Sequence, residues 1–137
     1  MAKKPFILIA EDDPDGRLIY EKVIEKTDFE VDHQFVGSGP ELLSFLGDDS
    51  RPRPSLVFMG FQLPADGHLA LEDMMKDERT RSIPVIVITS EEDESESRKA
   101  YGACANSYII KPGRFQDFVD TLNQVFSYWF KTVKVVS

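Results

Sequence analysis

Leu56-Val57-Phe58-Met59-Gly60-Phe61-Gln62-Leu63-Pro64-Ala65-Asp66-Gly67 passes from a short apolar run straight into a loop marked by Gly60, Pro64 and Gly67. A run of that length is too short for a helix. Being apolar at every position, it reads as a strand covered on both faces of a sheet. Four further stretches are strand candidates, Phe6 to Ala10, Val31 to Val36, Val85 to Ile88 and Ser107 to Ile110, of which Phe6 to Ala10 and Val85 to Ile88 are almost wholly apolar. Amphipathic segments separate them. Leu18, Ile19, Val23 and Ile24 give the first helix its expected buried face, and Leu42, Leu43 and Leu46 that of the second, with Ser38 as its cap and Pro40 in its first turn. Leu69, Leu71, Met74 and Met75 mark the third helix. The fourth starts after Ser90, with Glu91, Glu92, Asp93 and Glu94 where the helix dipole favours negative charge, and the fifth spans about Arg114 to Lys131. Strands alternating with helices imply parallel strands and right-handed crossovers, so the expected class is a doubly wound α/β sandwich.

The chain has 137 residues, one domain's worth, with 42% hydrophobic and 29% charged residues, ordinary for a soluble globular protein. A formal net charge of −8 argues against a nucleic-acid or anionic-membrane surface, which would draw on clustered Lys and Arg. The single cysteine, Cys104, excludes an internal disulfide and a cysteine metal cluster; it reads as packing. No stretch approaches the roughly 18 apolar residues of a membrane span, and Met1 to Pro5 has no signal-peptide core. The expected location is the cytoplasm.

Chemistry-bearing residues gather just after the strands. Glu11-Asp12-Asp13 follows the first, Gly60 the third, Thr89-Ser90 the fourth and Lys111-Pro112 the fifth. In a doubly wound sheet these ends converge on one cleft, where ligands bind. Adjacent carboxylates repel unless a cation or a lysine neutralises them, an arrangement that suits Mg²⁺. Thr89 offers a hydroxyl to a phosphoryl oxygen, and Lys111 a compensating charge. His33 and His68 lack metal-ligand partners at suitable spacing. Met74 and Met75 read as core filling, and the acidic run Glu91 to Glu96 as a solvated helix start.

On Ile7 to Pro14, Leu63 to Gly67, Ile83 to Ser90 and Ala105 to Pro112, the chain resembles the receiver domain of two-component response regulators, from about Pro5 to Phe130. The ending Phe126-Ser127-Tyr128-Trp129-Phe130 also looks like the stand-alone receivers associated with bacterial phytochrome kinases. The resemblance implies a flavodoxin-like (βα)5 fold with strand order 2-1-3-4-5, a core of about residues 5–130 and a tail of 131–137, with no output domain. It implies that Glu11 and Asp12 are the acidic metal pair and that Gln62 offers a backbone carbonyl to Mg²⁺. Thr89, with Ser90 beside it, and Tyr108 match the switch positions, and Lys111 the phosphate-pairing lysine. The family's phosphoacceptor is an aspartate four positions before the proline of the strand-three loop. Counting back from Pro64 lands on Gly60, and neither Met59 nor Phe61 can substitute.

Losing one carboxylate from such a cluster relieves repulsion worth on the order of 1 kcal/mol. Glycine at a strand end gives back roughly 0.5–1 kcal/mol in backbone entropy, so stability does not oppose the change. Without the aspartate no acyl phosphate forms, Mg²⁺ loses an anionic ligand, and Lys111 is expected to pair with Glu11 or Asp12. No cofactor is then required, and Mg²⁺ binding is expected to be weak.

In the last helix Phe115, Phe118, Val119, Leu122, Val125, Phe126, Trp129, Phe130 and Val133 cover an arc of roughly 140°, wider than the roughly 100° one core contact requires. Part of that surface is expected to stay exposed, making Phe126, Trp129 and Phe130 candidate interface residues. The resemblance places a homodimer on the face built from helix four, strand five and helix five. The favoured expectation is a non-enzymatic, degenerate receiver acting by contact with a histidine kinase, a phosphotransfer protein or its own copy. The alternative is a conventional phosphoreceiver, if glycine is not the native residue at 60 or another residue serves as acceptor. An unrelated flavodoxin-like enzyme is a distant third, because no Gly-rich phosphate loop follows the first strand.

Overall fold

The five strand candidates form one parallel sheet, and in its three central strands even-numbered and odd-numbered side chains each find a separate apolar layer. In a computed structural model of the chain, which describes residues 4–60, 67–89, 98, 101–102 and 105–132, the sheet order is β2-β1-β3-β4-β5. The strands are β1 (Phe6–Ala10), β2 (Asp32–Val36), β3 (Leu56–Met59), β4 (Val85–Thr89) and β5 (Ser107–Ile110). The helices between them are α1 (Pro14–Lys26), α2 (Gly39–Gly47) and α3 (Gly67–Lys76). The C-terminal helix covers Phe115–Ser127 and continues into a π-helical turn, Tyr128–Thr132. Of the expected fourth helix, Arg98, Tyr101 and Gly102 are described, and all are helical. The expectations placed on Gln62, Ser90, the acidic run 91–96, Cys104, Val133 and the His68 side chain lie outside what is described.

Leu8, Ala10, Val57, Met59, Val85 and Val87 point into a layer with Leu42, Phe45 and Leu46 of α2 and Ala70, Leu71 and Met74 of α3. Ile7, Ile9, Leu56, Phe58, Ile86 and Ile88 point the other way, against Tyr20, Val23 and Ile24 of α1 and Phe118, Val119, Leu122 and Phe126 of the C-terminal helix. Strand alternation thus feeds two cores, the doubly wound arrangement. Register brings the strand ends level: Ala10 pairs with both Val36 and Met59, Met59 with Val87, and Thr89 with Ile110. Asn106 fixes the start of β5, donating its N–H to the Val85 carbonyl and accepting the Val85 N–H at its side-chain oxygen, both at 2.9 Å.

Capping follows the sequence. Asp13 caps α1, its carboxylate accepting from the Gly16 N–H at 3.3 Å, and Ser38 caps α2, its hydroxyl accepting from Glu41 N–H at 3.1 Å. Two expectations need correcting. On α1, Leu18 and Ile19 are exposed, and the buried side is Gly16, Tyr20, Val23 and Ile24. That set has the i, i+4, i+7, i+8 spacing of one helical face, from which residues 18 and 19 are turned away. The second correction concerns Phe126. It is wholly buried, stacked on Phe130 at 5.5 Å, edge-on to Phe29 at 5.8 Å and tilted against Phe58 at 6.2 Å, so it is core and not an exposed interface residue. Phe29, in the loop after α1, and Phe58 of β3 supply the cover; Trp129 and Phe130 are partly buried against the same layer.

Candidate functional site

The site is assembled at the C-terminal ends of β1, β3, β4 and β5. Glu11 continues β1: its N–H donates to the Val36 carbonyl at 2.9 Å, and its own carbonyl accepts from Arg17 Nε at 2.6 Å. Arg17 also lies 5.5 Å from the Phe35 ring centroid, tying the β1–α1 loop to β2. The Glu11 side chain is folded back over the start of α1. Its Oε2 accepts from the Asp13 N–H at 3.3 Å, and its Oε1 lies 3.8 Å from Lys111 Nζ. Lys111 therefore pairs with Glu11 rather than Asp12, whose residue is exposed.

Lys111 is held from several sides. Its backbone N–H donates to the Thr89 carbonyl, extending the β4–β5 ladder by one bond. Its ammonium stands 5.3 Å from the Tyr20 ring centroid and 5.8 Å from that of Phe118, a cation over two aromatic faces. At 23% exposure for Lys111 and 20% for Glu11, the pair is shielded enough to feel less than bulk dielectric. Burial, and after it the nearby Glu11 charge, pushes the Tyr20 phenol well above its ordinary range. Thr89 is buried at the end of β4, and Tyr108 packs against the α2–α3 layer while its backbone N–H donates to the Tyr101 hydroxyl at 3.2 Å.

Gly60 faces this group from β3. A Cβ built there meets the Ile88 carbonyl oxygen at 3.2 Å and nothing else within 4 Å among the described residues. Its φ also lies outside the left-handed region, so the backbone conformation does not demand glycine, although a Cβ would stand tight against the Ile88 carbonyl. The cleft therefore brings together Glu11, Thr89, Lys111 and the Gly60 backbone. Sequence reasoning missed Gly16, Arg17 and Tyr20. Tyr20 had a legible signal in its i, i+3, i+4 spacing to Val23 and Ile24; Gly16 had one in being a glycine inside a helix, where glycine costs about 1 kcal/mol against alanine.

The Mg²⁺ implied by the family resemblance does not fit this arrangement. Position 60 supplies no carboxylate, and the Glu11 carboxylate is engaged by Lys111 and the Asp13 N–H. Among the described residues no three His, Cys, Asp or Glu side chains converge as a metal set. No described helix is long and apolar enough to cross a membrane.

Comparison with known proteins agrees with this fold. A model of the response regulator receiver domain matches residues 7–123. The "Probable methanogenesis regulatory protein FilR2" of Methanothrix harundinacea is 32% identical over 133 residues, covering 93% of this chain and 86% of that protein. Response regulator Rcp1 of Synechocystis is 26% identical over 137 residues, covering 95% and 91%. The phosphorylated cyanobacterial phytochrome response regulator RcpA superposes with a TM-score of 0.89 over 98% of this chain and 100% of that one, at 21% identity, a likeness of fold. Sheet order and sequence match agree, and the chain belongs to the response regulator receiver domain family.

Proposed function

We propose that this chain is a degenerate receiver: a non-enzymatic signalling module that works by protein contact and is not phosphorylated at position 60. The observation that carries the reading is Gly60 itself, a residue with no nucleophile at the end of β3, facing a lysine already paired with Glu11. Phosphoryl transfer needs an in-line oxygen nucleophile, and positioning and charge stabilisation by Thr89 and Lys111 cannot replace it. On this reading no metal is required and Mg²⁺ binds weakly.

Partners follow from the family. A histidine kinase or phosphotransfer protein would be met at the cleft in the cytoplasm. A second copy would be met on the face formed by the fourth helix, β5 and the C-terminal helix. That face is supported by Tyr101 and by Ile110 of the edge strand β5, both exposed, while Phe126 is excluded and Phe130 packs toward Phe29 after α1.

Incubation with acetyl phosphate and Mg²⁺, followed by intact mass measurement, tests the central claim. The expected result is an unchanged mass. A stoichiometric phosphoryl adduct overturns the reading.

A further inference from the structure

Gly16 is the third residue of α1, and its N–H is taken by the Asp13 cap. Its φ lies outside the left-handed region, so the backbone gives no reason for a glycine there. Space does. A Cβ at 16 would lie 2.5 Å from Glu11 Oε1, 2.7 Å from Glu11 Cδ and 3.1 Å from Glu11 Cγ. The Glu11 carboxylate occupies the volume that any other residue at 16 would fill. In that notch it receives the Asp13 N–H, sits at the positive end of α1 and reaches Lys111. Across the cleft, Gly60 offers no carboxylate to compete for the lysine.

We propose that Gly16 is the positioning residue of this cleft: its notch holds the Glu11 carboxylate on Lys111, so that carboxylate is withheld from a divalent cation even when a carboxylate is restored at 60. The inference rests on the degenerate-receiver reading and goes beyond it. Gly60 removes the nucleophile, and Gly16 independently withdraws a would-be ligand. The colliding atoms belong to the end of a flexible side chain, so an alanine at 16 moves the carboxylate and leaves the helix in place. Glu11→Asp achieves the same by another route, since a side chain one methylene shorter does not reach the notch.

The test compares the full chain in four forms: wild type, Gly60→Asp, Gly60→Asp with Gly16→Ala, and Gly60→Asp with Glu11→Asp. Mg²⁺ is titrated against the backbone amide resonances of residues 11–13, and Mn²⁺ broadening of the same resonances locates the ion. The expected result is weak binding by Gly60→Asp alone and about tenfold tighter binding in both double variants, the size typical of changes that reorient a metal ligand. A gain in fold stability alone would not move Mg²⁺ affinity, so a merely structural role for Gly16 is excluded by that readout. Equal affinity in Gly60→Asp and both double variants overturns the notch and leaves the degenerate-receiver reading standing. A phosphoryl adduct or tight Mg²⁺ binding in the wild type overturns that reading instead. Should Gly16→Ala disturb folding by circular dichroism, the Glu11→Asp pair decides by the same criterion.

Discussion

At the strand ends Glu11 and Lys111 meet in one 3.8 Å ion pair, with Gly60 at the end of the neighbouring β3, whereas one layer below, Tyr20, Phe29, Phe58, Phe118, Phe126 and Phe130 pack ring on ring at 5.5–6.5 Å. The cleft stands on the C-terminal ends of β1, β3, β4 and β5, and the seam on α1, β3 and the C-terminal helix with its π-helical turn. One region is polar and sparsely satisfied, and the other is apolar and closed. Burial of aromatic surface supplies stability, so the cleft can lose a carboxylate without the fold noticing. Function and stability are thus carried by adjacent but separable sets of residues.

Phe126→Ala is the largest blow to that separation. Removing a wholly buried ring that touches Phe29, Phe58 and Phe130 should cost about 3–5 kcal/mol, through lost transfer energy and the cavity left behind. Urea unfolding followed by Trp129 fluorescence measures it. A loss below about 1 kcal/mol would mean that the C-terminal helix is held by something other than this seam.

Phe126 also shows where sequence reading stops. The strands were legible almost to the residue: Phe6–Ala10 and Leu56–Met59 are as the apolar runs mark them, because a short buried strand must be apolar throughout, and the less apolar edge strand Ser107–Ile110 also falls where expected. The sheet order and the cleft residues Glu11, Thr89 and Lys111 came with the strand ends and the family motifs. Helix phase was less legible. Leu18 and Ile19 are as apolar as Val23 and Ile24, and although the spacing of Tyr20 to Val23 and Ile24 allowed it on the same face, the tertiary fit with β1 and β3 decides between Tyr20 and Leu18 or Ile19. An aromatic stripe on the last helix likewise does not reveal that Phe29, nearly a hundred positions earlier in the chain, lies over it. The Gly16 notch was illegible for a related reason. Its meaning depends on where the Glu11 side chain folds, which is a property of three dimensions.

Tyr20 belongs to both regions, with its ring in the seam and Lys111 above it, and so probes their boundary. Burial, then the Glu11 charge, raises its folded-state pKa, while the unfolded phenol titrates near 10. Above about pH 10 the folded chain keeps a proton that the unfolded chain releases, so stability falls as pH rises, by up to about 1.4 kcal/mol per pH unit. Below that pH this group contributes no pH dependence. Tyr20→Phe should remove this part of the alkaline slope, read as the difference between urea midpoints of the two proteins at pH 9, 10 and 11. Parallel slopes would show that the phenol ionises freely in the fold.

The smallest expected effect comes from the ion pair itself. At 3.8 Å between Lys111 Nζ and Glu11 Oε1 the contact is longer than a hydrogen bond, and both side chains keep about a fifth of their surface. Coulomb attraction at an intermediate dielectric is offset by the cost of partly desolvating two charges, so the net coupling should be below about 1 kcal/mol. A double-mutant cycle with Glu11→Gln and Lys111→Met isolates that term from the separate losses of the Asp13 N–H contact and of the ammonium's seat on Tyr20 and Phe118. The coupling should shrink further with added salt. If the cycle returned 2 kcal/mol or more, the cleft would be contributing to the fold on the scale of a core residue, and the separation between the polar cleft and the aromatic seam would fail. A small value leaves the pair as a local device that sets where the Glu11 carboxylate points, with the buried face of the C-terminal helix, Val119 and Leu122 beside the aromatic seam, holding that helix to the sheet.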